Sequence, residues 1–230
     1  MNNEDVFSWA ENADGRQLHD DSVANGILRK DTAEALSLDE SLKSKYDRKS
    51  LIDACNRGTQ FEYLFFWGHT EKGDQVSRAC LSQWYPCKFV INGLEYNCAE
   101  QFMMAEKARL FGDDEVLEKI MASSEQKMIK ALGRQVHGFD TNKWNRAKRN
   151  IVIRGNIAKF TQNSKLKDYL LSTGDKILVE ASPYDKVWGI GMRASDKRAA
   201  NPIQWNGENL LGFSLMVVRD NLLMIEKKKE

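Results

Sequence analysis

A carboxylate and an ammonium stand seven residues apart on what reads as one helical face. In the helix expected from Asn97 to about Phe111, Glu100, Met103, Met104, Lys107 and Phe111 share a stripe. The stripe is otherwise apolar, and a buried charge is costly unless it is paired or used. A bland account competes. Asn97 can cap the helix with Glu100 three residues on, at the capping-box position. Lys107 can then reach solvent along its own stem. The helix expected over residues 142–161 carries a second anomaly. Trp144, Ala147, Ile151, Arg154 and Ala158 fall on one stripe, so a guanidinium interrupts a core-facing row. Its fork suits a phosphate or a carboxylate, and a structural ion pair with an internal acid explains it equally well. A long irregular segment, Ser182 to Glu208, holds the third group: Asp185, Trp188, Gly189 and Gly191. Long loops after a strand often carry function. An acid, an aromatic face and flexible backbone suit a ring-shaped polar ligand.

Together these residues point to glycosidic cleavage at a nucleotide. Glu100 and Asp185 supply two acids, Lys107 and Arg154 supply positive charge for a phosphate, and Trp188 supplies a stacking face. One acid directs water onto an oxocarbenium-like carbon. Rival chemistries fare worse. The stretch GIGMRA formally matches a dinucleotide-binding pattern, but its glycines come well after the strand and no helix opens behind them. Walker A, HExxH and GxSxG patterns are absent. The four cysteines contain no CxxC, and the three histidines are far apart, which argues against structural zinc. A Cys–His nucleophile is a minority alternative.

The elements that must position these groups are mostly helical. FEYLFFW, from Phe61, reads as a buried strand. Lys88–Ile91, the Asn-Gly pair at 92–93 and Leu94–Tyr96 read as a hairpin. Helical patterns follow at about 97–111, 114–121, 124–132, 142–161 and 165–171, then a strand at 176–181 and a last helix from Asn209 to about Ile225. Strands do not alternate with helices, which disfavours a doubly wound sheet. The expected fold class is α+β, predominantly helical: a compact multihelical domain with a small β-sheet and hairpin. Residues 1–58 read as an acidic, partly helical extension, with twelve acids against eight bases and helices at Asp31–Tyr46 and Ser50–Cys55. The domain proper is expected over residues 59–230. Net charge is +1, so no global field advertises nucleic acid. No apolar run approaches a membrane span, and no signal peptide is visible. A cytoplasmic protein with reduced thiols is expected.

At the same residues the sequence resembles the YbiA-like, or NADAR, superfamily, named for a proposed link to NAD and ADP-ribose. The resemblance runs from about Phe65 to Leu222. It rests on FFWGH, ACLSQWYP at 79–86, GLEYNCAEQFMMAEKARLFGDDE at 93–115, ALGRQVHGFD at 131–140, a tryptophan (Trp144) ahead of IVIRGNIAKF, VEASPYDKVWGIGM at 179–192 and NLLGFSLMVVR at 209–219. It implies a compact, mainly helical fold and N-glycosidase activity. Two activities are associated with the family: release of the base from ribosylamino-pyrimidine phosphates of early riboflavin biosynthesis, and removal of ADP-ribose from guanine. The family's acid and lysine fall on Glu100 and Lys107, its D-x-x-W-G on Asp185, Trp188 and Gly189, and its closing N-x-L-G on Asn209, Leu211 and Gly212. Gln101 stands where histidine is common, and Gln83 where asparagine is.

The expectation is therefore a metal-independent, cofactor-free N-glycosidase acting on a phosphorylated ribose. Glu100 and Asp185 are its expected catalytic residues. Lys107, Arg154, Trp188, Gly189, Asn209 and Trp144 are its expected substrate contacts. The expected partner is an ADP-ribose-containing or phosphoribosyl small molecule, with ADP-ribosylated DNA as an extension of it. No membrane and no stable protein partner are expected. ADP-ribosyl-guanine is the favoured substrate, since ACLSQW and AEKARLFGDDE resemble the free-standing or toxin-associated versions of the family. A non-catalytic reader of ADP-ribose or a nucleotide is the rival from another class.

Overall fold

The computed structural model describes residues 45–71 and 73–227. The helix expected at Asp31–Tyr46 lies outside them, save its last two positions. The described chain runs α1 (Arg48–Asn56), β1 (Tyr63–Phe66), a 3-10 turn (Arg78–Leu81), β2 (Phe89–Ile91) and β3 (Leu94–Tyr96). It continues through α2 (Ala99–Phe111), α3 (Asp114–Ala122), α4 (Gln126–Arg134), α5 (Thr141–Thr161) and α6 (Ser164–Ser172). β4 (Ile177–Glu180), a second 3-10 turn (Pro202–Gln204) and α7 (Leu210–Lys227) close it. This is the α+β, mainly helical architecture expected.

Local chemistry sets the boundaries. Asn92 and Gly93 both take positive φ (53° and 78°), so the β2–β3 hairpin turns through the geometry that matches strand twist. Gly112 ends α2 in the left-handed conformation, at φ 72°. Asp113 then caps α3, accepting from Val116 N–H at 3.1 Å. The short helix expected from Ser50 begins two residues earlier, because Asp47 caps it through the Ser50 N–H at 2.7 Å.

The core forms around α5, which packs against both α2 and α7. α7 is buried continuously from Leu211 to Arg219, as befits a helix surrounded by other elements. It covers β4, whose Leu178 and Val179 are fully buried. β4 pairs in parallel with β1, from Tyr63 opposite Ile177 to Phe66 opposite Glu180. Only Phe66 of β1 is buried, contrary to the buried strand expected, because α7 packs over its partner β4 and not over β1 to a similar extent. The domain start expected at residue 59 omits α1. In the structure Arg48 of α1 donates to the Pro202, Ile203 and Trp205 carbonyls at 3.0, 3.2 and 2.7 Å. No helix among the described residues is long and apolar enough to cross a membrane.

The α2–α5 crossing depends on a glycine. A Cβ on Gly155 would lie 2.6 Å from the Phe102 ring, which is 1% exposed and cannot withdraw. Glycine to alanine within a helix normally stabilises by up to ~1 kcal/mol. Overpacking here opposes that gain with about 1–3 kcal/mol. Gly155→Ala is therefore expected to lower the urea midpoint, and a raised midpoint would show that the two helices can separate freely.

Candidate active site

Glu100 is the second residue of α2, not the third. The helix starts at Ala99, and Cys98 is its cap position, with no side-chain cap bond. The capping-box account of Glu100 therefore fails. Asn97 cannot serve as the cap because its main chain is engaged elsewhere. Its N–H donates to Gln101 Oε1 at 2.7 Å, and its carbonyl accepts from Cys87 N–H at 3.0 Å. The Glu100 N–H instead donates to the Gln83 carbonyl at 2.9 Å. The Glu100 side chain is 3% exposed and hydrogen-bonds the Trp84 side chain.

Three carboxylates converge here. Burial pushes Glu100 up to about 7, Asp185 adds to the rise, and Lys130, Arg134 and the Trp84 hydrogen bond oppose it. Burial pushes Glu180 up to about 8, with Asp185 and Glu100 both adding. Glu180 ends β4. Part of its side chain reaches the surface, yet its Oε2 is buried with no hydrogen-bond partner among the described residues. Asp185 is fixed differently. Its Oδ1 accepts from the N–H groups of Val187 and Trp188 at 2.9 and 2.7 Å. That turn also anchors the peptide of Trp188, whose side chain is half-buried. Cations surround the acids. Lys130 of α4 lies 5.6 Å from the Trp84 ring centre, and Lys148 of α5 feels the charge of Asp185. The Trp84 ring meets His69 at 5.6 Å.

A second group continues along α2, two turns or about 10 Å beyond Glu100. Lys107 Nζ donates to the Gly133 carbonyl at 2.6 Å. It also faces the rings of Phe139 and Trp144, at 4.4 and 5.7 Å. Burial lowers its pKa. Trp144 is one turn from Lys148 on α5, so the two groups border one elongated surface.

The structure therefore joins Glu100 with Asp185, and Lys107 with Trp144. Three expected ligand contacts are engaged in structural work instead. Arg154 pairs with Glu106 at 3.3 Å, and Arg109 holds the same carboxylate at 2.7 Å. Glu106 is six residues past Glu100, about 120° around the helix. Arg154 thus takes its structural alternative, an internal ion pair. Asn209 is fully buried, and both its amide atoms serve β4: Oδ1 accepts from Glu180 N–H, and Nδ2 donates to the Leu178 carbonyl, each at 2.9 Å. Gly189 gives clearance, since a Cβ there would lie 2.7 Å from the Glu180 carbonyl oxygen. Gln101 is also structural. Its Nε2 donates to the carbonyls of Ile120 and Ser123 at 3.0 and 2.9 Å, so a titrating side chain is not needed at that position for the fold.

Glu180, Lys130, Lys148 and Trp84 escaped the sequence reading. Glu180 left one signal: a carboxylate finishing an otherwise apolar strand, KILVEA, immediately before the Asp185 loop. Lys130 and Lys148 left none, because one lysine in an amphipathic helix is ordinary.

Residues 65–223 match the NADAR domain family. The chain belongs to that family. It is 46% identical over 164 residues to N-glycosidase R617 of Acanthamoeba polyphaga mimivirus, across 69% of this chain and 95% of that protein. It is 29% identical over 142 residues to the riboflavin biosynthesis protein VVA0006 of Vibrio vulnificus, covering 62% of this chain and 35% of that protein. The fold resembles the NMR structure of YbiA from E. coli, with a TM-score of 0.58 at 24% identity over 75% of this chain and 90% of that one. By this kinship the protein is an N-glycosidase.

The carboxylates carry a stability cost that depends on pH. Glu100 titrates near 7 when folded and near 4.5 when unfolded, so the folded state favours its proton. The cost is absent below about pH 4.5, grows as pH rises, and is complete above about 7. It amounts to about 3 kcal/mol at most. Glu100→Gln removes it. The variant is expected to be more stable than the parent at pH 8, with the gain shrinking by pH 4.5, as read from urea midpoints. An equal difference at both values would mean that Glu100 titrates normally.

Proposed function

We propose that the protein hydrolyses the N-glycosidic bond of a phosphorylated ribose, with ADP-ribosyl-guanine as the favoured substrate. The observation that carries this reading is the convergence of Glu100 and Asp185 beside Lys130 and Lys148. A carboxylate near neutrality suits general-base work, since it is ionised at working pH yet still takes a proton. In this reading ionised Glu100 draws a proton from water and its charge faces the developing oxocarbenium. Asp185 accepts a ribose hydroxyl or steadies the positive carbon. Lys130 and Lys148 hold phosphate oxygens. Lys107, Trp144 and Trp188 bind the more distant part of the nucleotide. A cytoplasmic setting belongs to the proposal and is supported by four free thiols.

A second substrate is favoured by one specific observation, the name of the Vibrio vulnificus relative. It is a ribosylamino-pyrimidine phosphate of riboflavin biosynthesis. Both substrates present a ribose–nitrogen bond near a phosphate, so the same residues serve either.

The test is direct. Incubation with ADP-ribosylated guanine DNA and, separately, with the ribosylamino-pyrimidine phosphate is expected to release ADP-ribose or base from one of them. Release should continue in EDTA. Turnover by Glu100→Gln should fall at least ~100-fold, while product binding is retained. In the parent, kcat/KM should decline as pH drops below about 7, where Glu100 gains its proton. Tight product binding without turnover of either substrate would make the protein a reader instead of an enzyme.

A further inference from the structure

Breaking an N-glycosidic bond also calls for an acid, because a purine or pyrimidine nitrogen departs poorly as an anion. Glu100, as base, cannot fill that role in the same step. Asp185 is committed to its own loop, since two main-chain N–H groups already bind its Oδ1. Glu180 is the opposite case. Its Oε2 is sealed from solvent with no partner, and two other carboxylates face it.

Resting on the N-glycosidase reading above, we propose that Glu180 is the catalytic acid that delivers a proton to the departing base. The geometry holds it in place for that purpose. Its N–H is gripped by Asn209, and its carbonyl accepts from Ile190 N–H at 2.9 Å. Gly189 lets the loop close against that carbonyl. Its charged surroundings come from three elements: Glu100 of α2, Lys130 of α4 and Asp185 of the loop. β1 and α7 also flank β4; Arg78 donates to the Phe65 carbonyl of β1 at 3.1 Å, and further charges lie at the far end of β4. There Glu62 pairs with Lys176, and Arg219 binds the Lys176 carbonyl.

The step balances. As the bond between C1′ of the ribose and the base nitrogen breaks, its electron pair stays on nitrogen, which takes the Glu180 proton. The oxygen of a water molecule bonds to C1′, and Glu100 accepts a proton from that water. Glu180 is then ionised and Glu100 protonated. Exchange with solvent restores both, and one water is consumed. Burial among like charges pushes Glu180 up to about 8, so its proton is present at neutral pH.

The experiment compares pH profiles of the full chain, using guanine-linked ADP-ribose DNA and the ribosylamino-pyrimidine phosphate as probes. On the probe that the parent turns over, kcat/KM is expected to fall on both sides of neutrality, with the basic limb near pH 8. Glu180→Gln should lose at least ~100-fold in kcat at pH 7 with little change in KM. Its acid limb, set by Glu100, should persist while the basic limb disappears. Glu180→Asp keeps a proton to give and should retain the basic limb with partial activity. A basic limb unchanged in Glu180→Gln, or near-parent turnover by that variant, would overturn the assignment. If the parent turns over neither probe, the N-glycosidase reading fails on its own. NMR titration of the Glu180 carboxyl then judges the proton-holding claim: a midpoint near 8 supports it, and an ordinary carboxylate midpoint overturns it.

Discussion

The inner edge of β4 is the constraint on which the rest depends. β4 gives one edge to β1, and its other edge is buried under the start of α7. Main-chain groups there must be satisfied without water. One side chain, Asn209, serves both the Glu180 N–H and the Leu178 carbonyl. It does so from a positive φ of 55°, which asparagine tolerates better than most residues. Gly212 completes the fit, since a Cβ there would fall 2.0 Å from the Leu178 carbonyl oxygen. This close seam sets where Glu180 stands and where the Asp185 loop can return. Leu210 and Leu211 N–H groups then tie that loop to α7 through the Val187 and Trp188 carbonyls, at 3.2 and 3.0 Å.

Carboxylate placement follows from the seam. Glu180 projects from the last residue of β4, and Asp185 from the turn five residues on. Glu100 meets them from the first turn of α2, the positive end of the helix dipole. Glu100 and Glu180 cannot ionise cheaply where burial surrounds them, so both are pushed up toward neutral pH. The cost in stability is the source of the reactivity, a relation common to functional sites.

The sequence revealed the elements better than the contacts. The Asn-Gly hairpin, the Gly112 stop and the helical stripes all carry local signals, and each element formed close to its expected place. Contacts between distant segments left weaker marks. Arg154 read equally as ligand or strut, because its partner Glu106 lies on another helix. Asn209 looked like a ligand because the family motif contains it, yet its work is done on the strand behind the site. The capping-box reading of Glu100 failed by one residue of register, which only the competing bonds of Asn97 decide. Glu180 was hidden in a run that reads as an ordinary core strand. Its chemistry comes from neighbours brought in from α2 and from the loop.

The pairing of β1 with β4 has a consequence for how the protein assembles. Tyr63 and Ile177 are partners across a chain segment that contains both the hairpin and five helices. Contacts among those helices are shorter in sequence and can form earlier, whereas the strand pairing must close a very long loop. β4 and the Asn209 seam are then among the last features acquired. A partly folded chain would carry Glu100 on a formed α2 while Glu180 and Asp185 remain unplaced. Such a chain has a helical signal and no assembled acid cluster, so the cluster's titration reports completion of the fold.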